Sequence, residues 1–292
     1  MPPQKTNLTA IKHIALDMDG TIYKGSTLFP FTISVLEDLK KHGIRYSFLT
    51  NNSSKSRTNY LHHLTNMGIS ATPDEIYTSG QAAIDYLRYA HPDVKRLFIL
   101  GTPGLIEEFE EAGFISTEDN PDDRPDAVMV GFDTSLTYNR LCRAAWWVHQ
   151  RLPYIATNPD KVCPTDLPTV LVDCGSICAG IEKATGRYPD VVIGKPNPRM
   201  LDGIMHRYHL KPHEIAMVGD RLYTDIYMAH QTGALGVLVL TGEATEADLK
   251  ESPFQPDIVS KDLAQFKDML MKAQNHIPLV RKRGGSRWGA PL

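Results

Sequence analysis

Short apolar runs of strand length alternate with segments of helical periodicity along most of this chain, and few folds accept that order. Ile11 to Leu16 is mainly apolar and reads as a buried strand. Phe31 to His42 carries Ile33, Leu36 and Leu39 on one face and stops at Gly43, which predicts a helix. Ile44 to Leu49 is the next strand, and Ser53 to Met67 continues as a helix. The middle repeats this rhythm, with strands at Leu97 to Leu100, Ala127 to Val130 and Tyr154 to Ala156. Helices at Pro103 to Ala112 and Thr137 to Gln150 lie between them. A helix near Ser176 to Ala184 follows, then strand Val191 to Ile193 and helix Arg199 to Tyr208. Strand Ile215 to Val218, a helix from Thr224 and strand Leu235 to Leu240 complete the series. Strands alternating with helices predict an α/β fold built on parallel sheets. The polar loops flanking residues 80 and 188 are the candidate hinges. They divide the chain into a core (1–80 and 189–275), an inserted α/β unit (81–188) and a tail (276–292).

Composition excludes several function classes. With 292 residues, 42% of them hydrophobic, there is material for a sizeable core. A net charge of -3 lacks the basic excess of a nucleic-acid binder. The one tight basic cluster, Arg281-Lys282-Arg283, sits in a Gly- and Pro-containing tail and reads as a solvated end. No run approaches the ~18 apolar residues of a membrane span, and the first ten residues hold no secretory signal. A cytoplasmic protein with neither nucleic acid nor membrane as partner is therefore expected. The four cysteines show no C-x-x-C pair and are expected as free thiols. Cys174 and Cys178 are four apart, but no His pair accompanies them, so zinc is not expected.

Four polar clusters stand at the ends of predicted strands: Asp17/Asp19, Thr50/Asn51/Asn52, Lys195, and Asp220/Asp225. In an open parallel sheet such strand ends converge on one crevice. Two carboxylates about 4 Å apart repel by roughly 4 kcal/mol at an effective dielectric near 20, so gathering four calls for a cation. The donors are all oxygen, which selects a hard ion, and Mg2+ fits one or two carboxylates completed by water and phosphate. Lys195 adds positive charge, while Thr50 and Asn51 offer hydroxyl and amide groups to phosphate oxygens. A carboxylate such as Asp17 can act as covalent nucleophile. Asp19, two residues on, can give and take the proton. Gly20 lets the backbone turn tightly beside the phosphate. The calcium-loop alternative fails because Ile22 and Leu28 stand where Gly and Glu are required. No G-x-x-x-x-G-K-[ST] P-loop is present.

Asp17-Met18-Asp19-Gly20-Thr21, Thr50-Asn51-Asn52, Gly194-Lys195-Pro196 and Gly219-Asp220-Arg221-Leu222-Tyr223-Thr224-Asp225 resemble the four signature motifs of the haloacid dehalogenase (HAD) superfamily. The match is to its phosphatases with a large α/β (type C2) cap between the second and third motifs, the NagD-like and para-nitrophenyl phosphatase group. The resemblance spans roughly residues 10 to 260. It implies a Rossmann-like core and a magnesium-dependent phosphatase of small phosphorylated metabolites, working through an aspartyl-phosphate. It further implies Asp17 as nucleophile and metal ligand, and Asp19 as acid/base whose backbone carbonyl also meets the metal. Thr50, Asn51, Asn52 and Lys195 would bind phosphate. Asp220 would hold the metal, with Gly20 and Asp225 in support. Dehalogenases of the superfamily lack the second aspartate, so Asp19 points to phosphate esters.

In such enzymes the cap recognises the leaving group. The loop Ala156-Thr157-Asn158-Pro159-Asp160 makes Asn158 and Asp160 the candidates, against the reading of an ordinary turn. Trp146-Trp147 reads as cap packing or a contact in a homo-oligomer. Two other functions keep the same residues in view: a phosphotransferase or mutase, and a non-catalytic binding protein with this fold. Against the last stands the intact set Asp17, Asp19, Lys195 and Asp220.

Overall fold

The computed structural model describes residues 7–163, 165 and 168–275. The tail and its basic cluster therefore lie outside the described residues. Two wholly parallel sheets organise the chain. The first has six strands in the order Ile258–Ser260, Leu235–Val239, Ile215–Gly219, His13–Asp17, Arg45–Thr50 and Ile76–Thr78. The second has five, in the order Val191–Val192, Tyr154–Ala156, Ala127–Val130, Arg96–Leu100 and Ile115–Ser116.

Side-chain alternation along the strands sets the layers. Ala15, Leu49 and Met217 point to one face of the first sheet, where they join Ala83 and Leu87 of the Ser79–Ala90 helix and Ile204 of the Arg199–Tyr208 helix. The same cluster continues into Leu97, Ile99, Met129 and Ile155 of the second sheet. Ile14, Leu16, Phe48 and Val218 point the other way, against Leu36, Leu39, Phe266 and Leu270. The far side of the second sheet packs Val128 and Val130 against Trp147, Ile177 and Cys178. Side-chain caps start the helices where turn residues precede apolar periodicity. Ser56, Thr78, Thr102 and Thr137 each accept from the N–H three residues on.

Three details differ from the sequence reading. Residue 80 lies in the first turn of the Ser79–Ala90 helix, where Ser79, Gly80 and Gln81 are buried, and not in a polar hinge loop. The helix was overlooked because Gly80 and Gln81 break its apolar stripe at the start. Val191–Val192 pairs with Tyr154–Ala156, so the second sheet extends past residue 188, and Lys195 follows a strand of the second sheet. The helix expected from Thr224 opens with a π-helical turn, Leu222–Ile226, before Tyr227–Thr232. Among the described residues no helix is long and apolar enough to cross a membrane.

Candidate active site

His13–Asp17 is the strand from which connections run to both sides of the first sheet, and such a switch point opens a crevice at the strand ends. Asp17 ends that strand, Thr50 ends its neighbour, and Asp220 follows the neighbour on the other side. The π-helical turn folds the chain back so that Asp225 lies beneath Gly219, whose Cβ position is 2.2 Å from Asp225 Oδ2. From the second sheet Lys195 enters this group. Its ammonium donates to Asp17 Oδ1 and, at 2.8 Å, to Asp225 Oδ1.

Carboxylate oxygens of Asp17, Asp220 and Asp225 lie within 4.8 Å of one another, and all three residues are buried. Asp225 is engaged at both oxygens: Lys195 holds Oδ1 and the Arg221 N–H reaches Oδ2 at 3.2 Å. Asp220 is not. The Glu243 N–H donates to Oδ2 at 2.7 Å, but the buried Oδ1 has no hydrogen-bond partner. Burial and the charges of Asp17 and Asp225 push the Asp220 carboxyl up to about 7. Burial raises Asp225 to about 6, with Lys195 opposing the rise and Asp17 adding to it. Burial alone would lower Lys195, but the charges of Asp17 and Asp225 outweigh it and hold its pKa above the ordinary lysine value. Three carboxylates with one ammonium leave negative charge uncompensated, and an unpartnered oxygen faces it. A hard divalent cation fits that donor set, and Asp17 and Asp220 could offer it side-chain oxygens.

Gly20 has φ +86°, and a Cβ there would stand 2.4 Å from Asp220 Oδ2, so both its conformation and the close approach require glycine. Asp19 is exposed beyond the strand end, its Oδ1 accepting from the Gly25 N–H at 3.4 Å. Thr50 Oγ1 accepts the Asn52 N–H at 3.2 Å.

The Asn51 amide donates to Lys195 O and Asp160 Oδ2, each at 3.0 Å, and accepts from the Lys195 N–H at 2.6 Å. Both amide hydrogens are thus occupied, and the side chain bonds the main chain of Lys195 on both its N–H and its carbonyl. Asn52 Oδ1 accepts from the Ser54 N–H and hydroxyl, closing the loop before the Arg57–Asn66 helix. Asn158 is buried, donates to Asn51 O and accepts from the Asp160 N–H, both at 3.0 Å, so its amide both closes a local turn and reaches across to the first sheet's loop. Asp160 borders the crevice and burial raises its pKa, opposed by the Asn51 hydrogen bond and the charge of Lys195. Asn51, Asn158 and Asp160, with Ser53 Oγ 2.9 Å from Thr157 Oγ1, form a polar seam between the loops of the two sheets.

A haloacid dehalogenase-like hydrolase family model matches residues 14–115, and a HAD-hydrolase-like model matches residues 192–266. The ribonucleotide monophosphatase NagD of Escherichia coli K12 is 31% identical over 256 residues, covering 88% of this chain and 98% of that protein. The chain belongs to the haloacid dehalogenase-like hydrolases. Solved structures agree. The 4-nitrophenylphosphatase of Thermotoga maritima superposes with TM-score 0.83 at 40% identity, covering 89% of this chain and 98% of that one. A glycerol phosphate phosphatase of Mycobacterium tuberculosis, in complex with magnesium, gives TM-score 0.81 at 30% identity over 90% of this chain and 78% of that one.

The sequence reading of this HAD hydrolase missed the wall formed by Thr241, Gly242 and Glu243, which donates to Gly20 O and Asp220 Oδ2. The signal was available, because these residues follow the end of the Leu235–Val239 strand beside the others. It also passed over Arg221, which stands inside the fourth motif. Arg221 Nε lies 2.9 Å from Glu243 Oε2 without hydrogen-bond alignment, so the contact is an ion pair.

Proposed function

We propose that the chain is a magnesium-dependent phosphatase that hydrolyses phosphate monoesters of small metabolites with Asp17 as nucleophile. The observation that carries this is the pairing of Asp17 with a buried ammonium beside an unpartnered oxygen of Asp220. The Asp17 and Asp220 side chains and the Asp19 backbone carbonyl would hold magnesium, which would supply positive charge beside the phosphate oxygens. Lys195 and the Thr50 hydroxyl bind the remaining phosphate oxygens, and Asn51 and Asp225 hold Lys195 from two sides. An Asp17 carboxylate oxygen attacks phosphorus, the ester P–O bond breaks, and Asp19 protonates the leaving oxygen. The Asp19 carboxylate then takes a proton from water as that water displaces phosphate from Asp17, which restores both residues.

The unit built on the second sheet acts as a cap over the crevice in this reading, with the Asp160 carboxylate bonded to Asn51 and the Ser53–Thr157 seam at its base. Trp146, half exposed on the Tyr138–His149 helix, marks the place for contact in a homo-oligomer. Cytoplasmic location belongs to the same proposal. Relatives named for ribonucleotides, 4-nitrophenyl phosphate and glycerol phosphate support a small phosphate monoester as substrate.

The test is phosphate release from a panel of sugar phosphates, nucleoside monophosphates, pyridoxal phosphate, phosphoglycolate and para-nitrophenyl phosphate. Chelator should abolish release and magnesium restore it, with calcium a poor substitute because its shell is larger and looser. Folded Asp17→Asn should be inactive, since an amide cannot form the acyl-phosphate. A folded Asp17→Asn that keeps about a tenth of the rate, or full activity without metal, would exclude the proposal. Transfer to an alcohol without free phosphate would redirect it to a phosphotransferase.

A further inference from the structure

We infer that Glu243 is a positioning residue for the metal ligand Asp220, and that its side chain sets the affinity for magnesium without touching the ion. This rests on the functional reading above. Asp220 Oδ2 sits in a backbone socket. A Cβ on Gly20 would stand 2.4 Å from it, and one on Gly242 would stand 1.9 Å from it. The Glu243 N–H closes the socket at 2.7 Å. With Oδ2 engaged, Oδ1 is the oxygen left for a cation, so the orientation of this one N–H decides where Oδ1 points.

The loop that presents the N–H is tied down at three places. The Thr241 hydroxyl donates to Gly20 O at 2.5 Å, and the Ala244 N–H donates to Asp220 O at 3.1 Å. The third tie is the Glu243 carboxylate itself. Its Oε1 accepts from the Tyr223 hydroxyl at 2.8 Å, and its Oε2 lies 2.9 Å from Arg221 Nε. Tyr223 and Arg221 flank Leu222 immediately after Asp220, so the carboxylate clasps the ligand's own segment to the wall that orients it. Both partners hold one residue whose main chain touches the ligand. Tyr223 is 54% exposed, so its hydroxyl adds little to the core.

The experiment is isothermal titration of the purified full chain with magnesium chloride alone, alongside thermal melts without metal. Glu243→Ala should weaken the magnesium Kd by ~10-fold, within the 10–100-fold range of outer-shell substitutions. Tyr223→Phe, which removes one hydroxyl, should weaken it less but measurably. Glu243→Gln keeps an acceptor for Tyr223 but loses the charge opposite Arg221, and should fall between Glu243→Ala and the wild type. Metal-free Tm should stay within about 2 °C for Tyr223→Phe, because Tyr223 is 54% exposed. Excess magnesium should restore kcat. Variants that bind magnesium within twofold of the wild type, or that lose metal-free stability with an unchanged Kd, overturn the inference alone. A wild type that takes up no magnesium overturns the functional reading and this inference together.

Discussion

Asp17 and Asp19 are two residues apart yet live in different media, one buried against an ammonium and the other exposed beyond the strand end. That contrast suits the first to displacement at phosphorus and the second to proton transfer at the leaving oxygen. General acid catalysis is typically worth ~10²–10⁴-fold and matters most for poor leaving groups. Asp19→Asn should therefore slow hydrolysis of an alkyl phosphate far more than that of para-nitrophenyl phosphate, with little change in the magnesium requirement. Equal losses on both substrates with a large shift in magnesium requirement would make Asp19 a side-chain metal ligand. The charged residues of the site were legible because all but Asp225 closely follow strand ends, and their charges make sense only together. The amides of Asn51, Asn52 and Asn158 are harder to read, because an amide serves a backbone group as readily as a ligand. Which it does depends on neighbours 100 or more residues away, such as Asp160 and Lys195 for Asn51.

At the scale of elements, long apolar runs and well-capped helices were readable, and the Arg199–Tyr208 helix and Ala127–Val130 strand have the expected bounds. The edge strands Ile115–Ser116 and Ile258–Ser260 were not, since each holds only one or two apolar residues and displays no period. Nor was the Ser79–Ala90 helix, whose place between the sheets is set by packing. The Arg199–Tyr208 helix shows how packing overrides propensity. Gly203 lies within it, where alanine would ordinarily add about 0.5–1 kcal/mol. Here a Cβ would stand 1.7 Å from the Tyr77 hydroxyl oxygen and 2.7 Å from Cζ. Tyr77 is fully buried, its hydroxyl donates to Asp85 at 2.9 Å, and the rigid ring cannot swing its tip aside. Gly203→Ala should therefore lose stability by about 1–3 kcal/mol in denaturant melts. A neutral or stabilising result would show that the ring yields.

The two-sheet plan followed from the repeated alternation of strands and helices, but the way the sheets are joined did not. Polar hinge loops at both crossings suggest two independent bodies. Instead, the first crossing is made by a buried helix, and one apolar cluster runs from Ala15 and Met217 through Ala83 and Leu87 to Ile99 and Met129. Each large apolar side chain fully buried in such a cluster contributes roughly 1.5–3 kcal/mol, so opening the sheets apart exposes surface that both need. The polar seam through Asn51, Asn158 and Asp160 adds buried hydrogen bonds across the same boundary. Heating should therefore melt the molecule in one step. Trp146 and Trp147 belong to the second sheet's Tyr138–His149 helix, and Trp288→Phe would leave fluorescence as their signal alone. Its midpoint should coincide with that of far-ultraviolet dichroism to within about 2 °C, as two-state unfolding demands. Leu105→Ala, a fully buried member of the shared cluster, should lower both midpoints together, with a loss of about 2–5 kcal/mol. If fluorescence fell first while most of the dichroism survived, the second sheet would be melting on its own, and the shared cluster would not couple the two.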